Sequence, residues 1–290
     1  SNTAADNASS TPRISDNGLF VTFASSATNL NATGLARTVG GTDVYLADLS
    51  AAPTVTLRRI GTNADQPSTS ADGSFIAFQS ADPLLSQDTN GKKDIYVYDR
   101  INNTYELASG DGTGNNDSIN PSLSGNGRRV AFFSTATNLI PPVTTSVGNF
   151  FVKDLDSGFT NRINADTLGN AGTITPAPGF VTISDDGRYV TFLSSATNLG
   201  AGNQGGTKVD VFAKALDPLD AALNGSNTGR IRKLFLGFNG TATNGDSQNV
   251  PRLTANGDRI VFNSDASNLV SPDAGGLRDV FLRANPLFVP

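Results

Sequence analysis

The chain has 290 residues, 37% of them hydrophobic, and a net charge of -5, so it is long enough to bury a substantial core. It contains no His, Cys, Met or Trp, which excludes Ser-His-Asp and Cys-His nucleophile systems, thiolate and imidazole metal sites, and disulfide bonds. The acidic balance argues against a nucleic-acid partner, because phosphate binding requires a basic face. No apolar stretch approaches the roughly 20 residues of a transmembrane helix.

The chain opens with Ser and a polar segment that lacks a charged-then-apolar signal region, so we expect a processed or excised product. A pattern that occurs five times then begins at residue 12. The copies read PRISDNGLFVTF (12–23), PSTSADGSFIAF (67–78), PSLSGNGRRVAF (121–132), VTISDDGRYVTF (181–192) and PRLTANGDRIVF (251–262). Each copy predicts a strand, a tight turn and a second strand of β-branched and aromatic residues.

Two positions are constant in every copy, a Gly in the turn and a Phe five residues later. The glycines are Gly18, Gly73, Gly127, Gly187 and Gly257, and the phenylalanines are Phe23, Phe78, Phe132, Phe192 and Phe262. All five copies place Asp or Asn directly before this Gly, in the pattern [DN]-G. This dipeptide favours a two-residue hairpin turn in which both positions have positive φ. We assign these ten residues a structural role.

A six-residue segment follows the second strand. It reads SSATNL at 25–30 and 194–199, STATNL at 134–139, SDASNL at 264–269 and SADPLL at 80–85. Ser, Thr and Asn side chains bind backbone groups in turns, so the segment predicts a structural corner rather than a ligand-contacting loop.

A third alternating strand follows each corner, beginning near Asp43, Asp94, Asn149, Asp210 and Asp279, and a fourth strand follows the first four of these. Four antiparallel strands in each repeat are typical of a β-propeller blade. The predicted fold is therefore all-β, a five-bladed β-propeller in a single domain, 1–290. The predicted blades are 12–63, 67–112, 121–168, 181–241 and 251–290.

The block P-x-[IL]-S-x-[DN]-G-x-x-[VI]-[AT]-F, followed by [DN]-[VI]-[YF]-[LV]-x-[DA]-L, resembles the TolB-type propeller repeat over about residues 10–285. The resemblance implies an exported bacterial protein in a periplasmic or extracellular location. The family includes periplasmic partner-binding propellers and peptidase-associated domains, and nothing in this chain matches a peptidase domain. The best-known members have six blades, whereas five copies are present here.

The end of the chain leaves closure of the fifth blade open. We expect LFV (287–289) to complete this blade as its fourth strand. The alternatives are an edge strand supplied by a neighbouring protein, or further blades in a longer chain.

Two Gly-bearing loops, DTNGKKD (88–94) and DAGGLRD (273–279), space carboxylates in a way that calcium accepts. Neither loop has a terminal Glu, and nearby Lys and Arg oppose a cation, so an Asx-type turn is the favoured alternative. No other cofactor is expected. The candidate calcium ligands are Asp88, Asn90, Asp94, Asp273 and Asp279.

The fourth repeat is the longest and joins basic to aromatic residues on its outer strand, a composition that suits a protein interface. The candidate partner-binding residues are Arg230, Arg232, Lys233, Phe235 and Phe238. The alternative is an ordinary hairpin with solvated charges.

The sequence therefore favours a non-enzymatic extracytoplasmic scaffold that binds protein, an accessory subunit of a larger envelope or surface assembly, with no catalytic residues. One alternative is a carbohydrate-active propeller, a lectin or glycosidase with paired carboxylates in its axial channel. The single Glu, Glu106, lies on a predicted outer strand, which does not suit that role. A second alternative is a self-associating surface protein.

Overall fold

The computed structural model describes residues 4–140, 148–165, 172, 180–199, 208–216, 231–234, 236–238, 240–273 and 277–289. These residues form five β-sheets. The first contains β1 (Ser9–Ile14), β2 (Phe20–Ser25), β3 (Thr33–Gly34), β4 (Asp43–Asp48) and β5 (Thr56–Gly61). The second contains β6 (Ala64–Thr69), β7 (Phe75–Ser80), β8 (Asp94–Asp99) and β9 (Thr104–Leu107).

The remaining three sheets follow the same order along the chain. The third contains β10 (Ser118–Leu123), β11 (Arg129–Ser134), β12 (Asn149–Asp154) and β13 (Thr160–Arg162). The fourth contains β14 (Val181–Ile183), β15 (Tyr189–Ser194), β16 (Asp210–Ala215) and β17 (Ile231–Lys233). The fifth contains β18 (Ser247–Leu253), β19 (Arg259–Ser264) and β20 (Asp279–Ala284). Strands adjacent in each sheet are antiparallel, except that the short β3 pairs with β5 in parallel.

The five sheets are arranged around one axis. The first strands of the sheets, β1, β6, β10, β14 and β18, contribute residues to a single cavity. Backbone hydrogen bonds join the hairpin turns of successive sheets, from Asp16 N to Ala71 O (2.8 Å) and from Ala71 N to Gly125 O (2.8 Å). Three of the sheets have four strands, and successive sheets whose first strands line one axis are typical of a β-propeller, so we call each sheet a blade.

The hairpin turn differs from the predicted two-residue turn. In the first blade Gly18 has positive φ (70°), but the preceding Asn17 does not. Gly18 N donates to Ser15 O (2.9 Å), and Ser15 N donates to Phe20 O (2.9 Å), so the loop has four residues. Four-residue loops are built around a type I turn, in which Asn17 accepts from Leu19 N (3.0 Å) instead of adopting positive φ. The prediction of positive φ at both positions is wrong.

The repeated Phe forms a ring pair with the aromatic residue directly opposite on the third strand of its own blade. Centroid separations lie between 5.4 and 6.3 Å. The pairs are Phe23–Tyr45, Phe78–Tyr96, Phe132–Phe151, Phe192–Phe212 and Phe262–Phe281. Such pairs across adjacent strands add to the burial of apolar surface between blades.

The repeated six-residue segment forms a corner, as its composition predicts. The hydroxyl of Ser134 accepts from Ala136 N (3.1 Å). Asn138 then reaches the linker before the blade: its Oδ1 accepts from Asn115 N (2.9 Å) and its Nδ2 donates to Thr113 O (2.9 Å). Equivalent bonds are made by Asn29 and Asn268. The segment is repeated because each corner fastens the incoming linker to its blade.

We expect Asn138→Ala to lower the free energy of unfolding by about 1–2 kcal/mol, since two hydrogen bonds worth about 1 kcal/mol each are removed. Chemical denaturation measures the change. Asn31→Ala is the control, because Asn31 is exposed and its side chain makes no hydrogen bond within the described chain. Equal losses in the two variants would contradict the role of the corner.

The C-terminal segment does not complete the fifth blade. Leu287 is buried in a core cluster with residues of the fourth and fifth blades, and Val289 N donates to Tyr189 Oη (2.9 Å) on the fourth. Pro286 has no N–H, and Asn285 Oδ1 accepts from Leu287 N (3.0 Å), which turns the chain away from β20. The expectation that residues 287–289 form a fourth strand is wrong.

Candidate functional site

The predicted partner-binding strand is only partly at the surface. Phe238 is 62% exposed and Arg232 is half-buried. Lys233 is buried, and its Nζ lies 2.7 Å from Asp210 Oδ2. A partner cannot reach this ammonium group, so Lys233 is removed from the predicted docking surface. Arg230 and Phe235 lie outside the described residues.

The predicted calcium loop at 88–94 is held together by its own side chains. The buried Asp88 accepts a hydrogen bond from the Tyr96 hydroxyl, and Asp94 accepts from Asn90 Nδ2 (2.7 Å). Asn90 Oδ1 accepts from Lys92 N (2.7 Å), which is the Asx turn weighed as the alternative. Burial raises the pKa of Asp94, although hydrogen bonds from the Ser109 hydroxyl and Asn90 oppose this.

The second predicted calcium loop is less enclosed. Asp273 is half-buried and Asp279 is exposed. Among the described residues, no group of three or more carboxylates lies close enough together to hold a metal ion. Calcium binding stays a prediction.

Asp279 is exposed because the fifth blade has no described fourth strand beside it. The equivalent residues of the other blades are buried and bonded to groups on or just after the fourth strand. Asp43 pairs with Arg59 (3.0 Å), Asp94 accepts from the Ser109 hydroxyl (2.6 Å), and Asp210 pairs with Lys233. The fifth sheet has three described strands, and this site therefore lacks the strand that covers it elsewhere.

One face of the fifth blade is apolar and exposed. Val261 is 40% exposed, Val280 is 76% exposed and Leu282 is 56% exposed. The twelve residues at equivalent register positions in the other blades are no more than 4% exposed. Those residues are Thr22, Val44, Leu46, Ala77, Ile95, Val97, Ala131, Phe150, Val152, Thr191, Val211 and Ala213. We call Val261, Val280 and Leu282 the seam face.

The other blades show what normally covers such a face. Val44 and Leu46 of the first blade pack in one core cluster with Phe78 and Tyr96 of the second. In the described chain, no hydrogen bond joins the fifth blade to the first. Gly18 of the first blade has nothing within 4 Å of a Cβ placed on it, whereas Gly73 lies against Phe20 of the preceding blade. The ring thus has a seam between its last and first blades.

The backbone edge of β20 is also without a partner among the described strands. In the third blade the equivalent edge is used: Phe150 O accepts from Ile163 N (2.8 Å), and Asp154 N donates to Phe159 O (2.9 Å). By register, the equivalent backbone groups of the fifth blade are the carbonyl of Val280 and the N–H of Ala284. An unpaired edge beside an exposed apolar face is a template for strand addition.

The axial cavity is cationic. Its volume is about 80 Å³, and its described lining includes Arg13 on β1 and Arg252 on β18, with amide and hydroxyl groups between them. No carboxylate belongs to the described residues of this lining. The paired acidic residues expected of a glycosidase channel are therefore not found in this part of the described structure.

The geometry defines the protein first as a β-propeller. Structural comparison shows that this fold is similar to that of solved TolB propellers. TolB from Agrobacterium tumefaciens matches with a TM-score of 0.51 at 17% identity, covering 97% of this chain and 81% of that one. The propeller domain of the Trilobed protease from Pyrococcus furiosus, described as having an open velcro topology, matches with a TM-score of 0.53 at 12% identity, covering 98% and 70%.

TolB from Acinetobacter baumannii matches with a TM-score of 0.49 at 18% identity, covering 96% of this chain and 54% of that one. This chain therefore spans about half the length of that protein. No protein-family model matches the chain. No curated protein matches it by sequence. In the described structure, no helix is long and apolar enough to cross a membrane.

Sequence reasoning missed the seam face because Val261, Val280 and Leu282 follow the same pattern as their buried equivalents. The available signal was the lack of a clear fourth strand after β20. It missed the axial arginines because only the first and fifth copies carry Arg after Pro, at Arg13 and Arg252.

Proposed function

We propose that this protein is a non-enzymatic extracytoplasmic scaffold, an accessory subunit of a larger envelope or surface assembly, and that the fifth blade is where it binds its protein partner. The observation that carries the proposal is the exposure of the seam face, because the equivalent residues of the other four blades are buried. The TolB-like fold supports a periplasmic or extracellular location.

The other blades specify the chemistry of the partner. It brings an extended strand that pairs with the edge of β20 and places apolar or aromatic side chains over Val280 and Leu282. Opposite Asp279 it carries a hydrogen-bond donor. Arg59 and Lys233 fill this position in two other blades, so a basic residue fits best.

Native mass spectrometry of the untagged protein purified from its source tests the scaffold. We expect a particle that contains this chain and defined other subunits. A free species at the 30.0 kDa of one chain would overturn the proposal. A particle built only from copies of this chain would replace it with the self-associating alternative.

Variants locate the docking surface. We expect Val280→Asp with Leu282→Asp to lower retention of the partner at least tenfold, because both carboxylates would be desolvated in the interface. Thermal stability should stay nearly unchanged, since both residues are exposed. Ile101→Asp is the matched control, because Ile101 is 64% exposed and lies in the turn between β8 and β9 of the second blade.

Arg232→Ala with Phe238→Ala tests the surface that the sequence predicted. If this pair releases the partner and the seam variants do not, the fourth blade is the docking surface and the assignment to the fifth blade is wrong.

A further inference from the structure

The axial cavity is lined by two arginines that have no acidic partner in the part of the chain that the structure describes. Arg13 and Arg252 lie on strands of the first and fifth blades and line the same cavity. Neither guanidinium has a carboxylate of the described chain within 4.0 Å, although the protein carries 26 acidic residues against 21 basic ones. Within the described chain, the two guanidinium groups together make one hydrogen bond. Arg13 Nη1 donates to Pro12 O (3.0 Å).

The two positive charges act on each other. Desolvation lowers the pKa of Arg252, and the charge of Arg13 lowers it further. Both residues remain exposed along part of their length, so a solute can reach them. Like charges facing one cavity disfavour the folded state unless an anion lies between them.

The rest of the lining supplies neutral hydrogen-bonding groups. Ser68 Oγ accepts from Leu123 N (3.0 Å), and Ser122 Oγ accepts from Ile183 N (3.3 Å), so each hydroxyl hydrogen can still be donated. The side-chain amides of Gln66 and Asn120 add further donors. No Asp or Glu is among the described residues that line the cavity, and Asp16 and Asp185 belong to the hairpin turns.

The inner strands β1, β6, β10 and β18 have an irregular backbone near the cavity. Gln66 and Asn120, which line the cavity, have positive φ of 54° and 57°, and Thr11 and Asn249 have similar values beside Arg13 and Arg252. Each lies at a break in the strand register. Bulges re-aim side chains, and strained backbone of this kind occurs at ligand sites.

From this arrangement we infer that the axial cavity binds a small oxyanion, a phosphate or carboxylate group, between the guanidinium groups of Arg13 and Arg252. Planar guanidinium groups donate paired hydrogen bonds to such groups. A volume of about 80 Å³ accommodates one of them with water, because a water molecule needs about 10–15 Å³ by this measure. This site does not depend on the proposed partner surface.

Calorimetric melting in sodium phosphate and in sodium chloride of equal ionic strength tests the site. We expect phosphate to raise the Tm of the wild type by about 2–4 °C over chloride, since a ligand that binds only the folded state stabilises it. Arg13→Gln and Arg252→Gln should each lose at least half of this rise. In chloride, Arg252→Gln should melt no lower than the wild type, because a repulsion is removed.

Arg278→Gln is the matched control, because Arg278 pairs with Asp265 at the surface and does not line the cavity. It should keep the full phosphate effect. An equal rise in all four proteins would show bulk ion exclusion and overturn the site. Sodium acetate in place of phosphate decides between the two ligand sources: a rise with acetate alone identifies a carboxylate, and a rise with phosphate alone identifies a phosphate. If Arg252→Gln does not fold, Arg252→Lys and the Arg13 variant decide.

Discussion

Substitution of Gly73 by Ala is expected to destabilise the protein by about 2–4 kcal/mol, while the same change at Gly18 costs about 1 kcal/mol. Both glycines have φ of 70° at the same position of the equivalent hairpin turn in the first and second blades, so an added Cβ strains the backbone equally. They differ in their surroundings. A Cβ on Gly73 would lie 2.3 Å from the ring of Phe20, whereas nothing lies within 4 Å of a Cβ on Gly18.

Relaxation cannot remove the clash at Gly73 easily. The Phe20 ring also packs against Arg100, whose guanidinium carbon is 4.0 Å from the ring centroid. Arg100 Nε in turn donates to Gly73 O (3.0 Å), so the ring, the glycine and the arginine form one contact between the first two blades. Moving the ring would therefore disturb the interface between these blades.

Urea denaturation of the two variants measures the difference. Because the strain from φ is common to both, the difference between the losses isolates the contact between blades. Equal losses would mean that Gly73 is conserved within the repeat for its turn alone, and that the interface tolerates a methyl group there. A larger loss at Gly18 would show that its surroundings are filled in solution.

Much of the propeller follows from local patterns in the sequence. The turn glycines, the Phe five residues later and the Ser that begins each corner recur in all five copies, and the corner Asn recurs in four, so repetition identifies them. Their partners are near in sequence, as in the bond from Ala136 N to Ser134 Oγ. The turn type was missed because Asn17 side-chain bonding competes with the positive φ that an Asn-Gly pair otherwise favours.

Features that depend on contacts between blades could not be read in this way. Val280 is exposed and Val211 is buried, although both occupy the same place in the repeat. The difference lies in which blade is packed against each one. Likewise the C-terminal segment contacts Tyr189, which is 100 residues away along the chain.

Lys233 is an intermediate case. It shares a face of β17 with the buried Ile231, because side chains two residues apart point the same way in a strand. This alternation, together with the recurrent Asp210, indicates a buried ion pair. Reading the segment as a cluster of exposed basic residues ignored that periodicity.

Replacement of Lys233 by Met is expected to lower the free energy of unfolding at neutral pH by about 3–5 kcal/mol, because it breaks a buried ion pair. Met fills nearly the same volume but leaves the Asp210 carboxylate buried without its counter-charge. The remaining donor to Asp210 is the Thr243 hydroxyl at 2.6 Å. Arg128→Met is the matched control: its pair with Asp156 is more than half exposed on both sides, so we expect a loss of at most about 1 kcal/mol.

The pH dependence distinguishes a lost ion pair from lost packing. Burial raises the pKa of Asp210, while hydrogen bonds from Lys233 and Thr243 oppose the rise. A carboxyl group whose pKa is higher in the folded state stabilises that state fully below its unfolded pKa, about 3.9, and loses this contribution as the pH rises through the folded pKa. Without Lys233 the folded pKa rises further, so the variant should regain part of its stability between pH 7 and pH 4.

Asp210→Asn in the Lys233→Met background completes the test. The double variant removes both charges, so its loss at neutral pH should be smaller than that of Lys233→Met alone, and its stability should no longer show the added pH dependence. A loss by Lys233→Met that is independent of pH and not relieved by Asp210→Asn would mean that the lysine acts by packing. The ammonium group would then be free of Asp210 in solution, and its place on a partner-binding strand would have to be considered again.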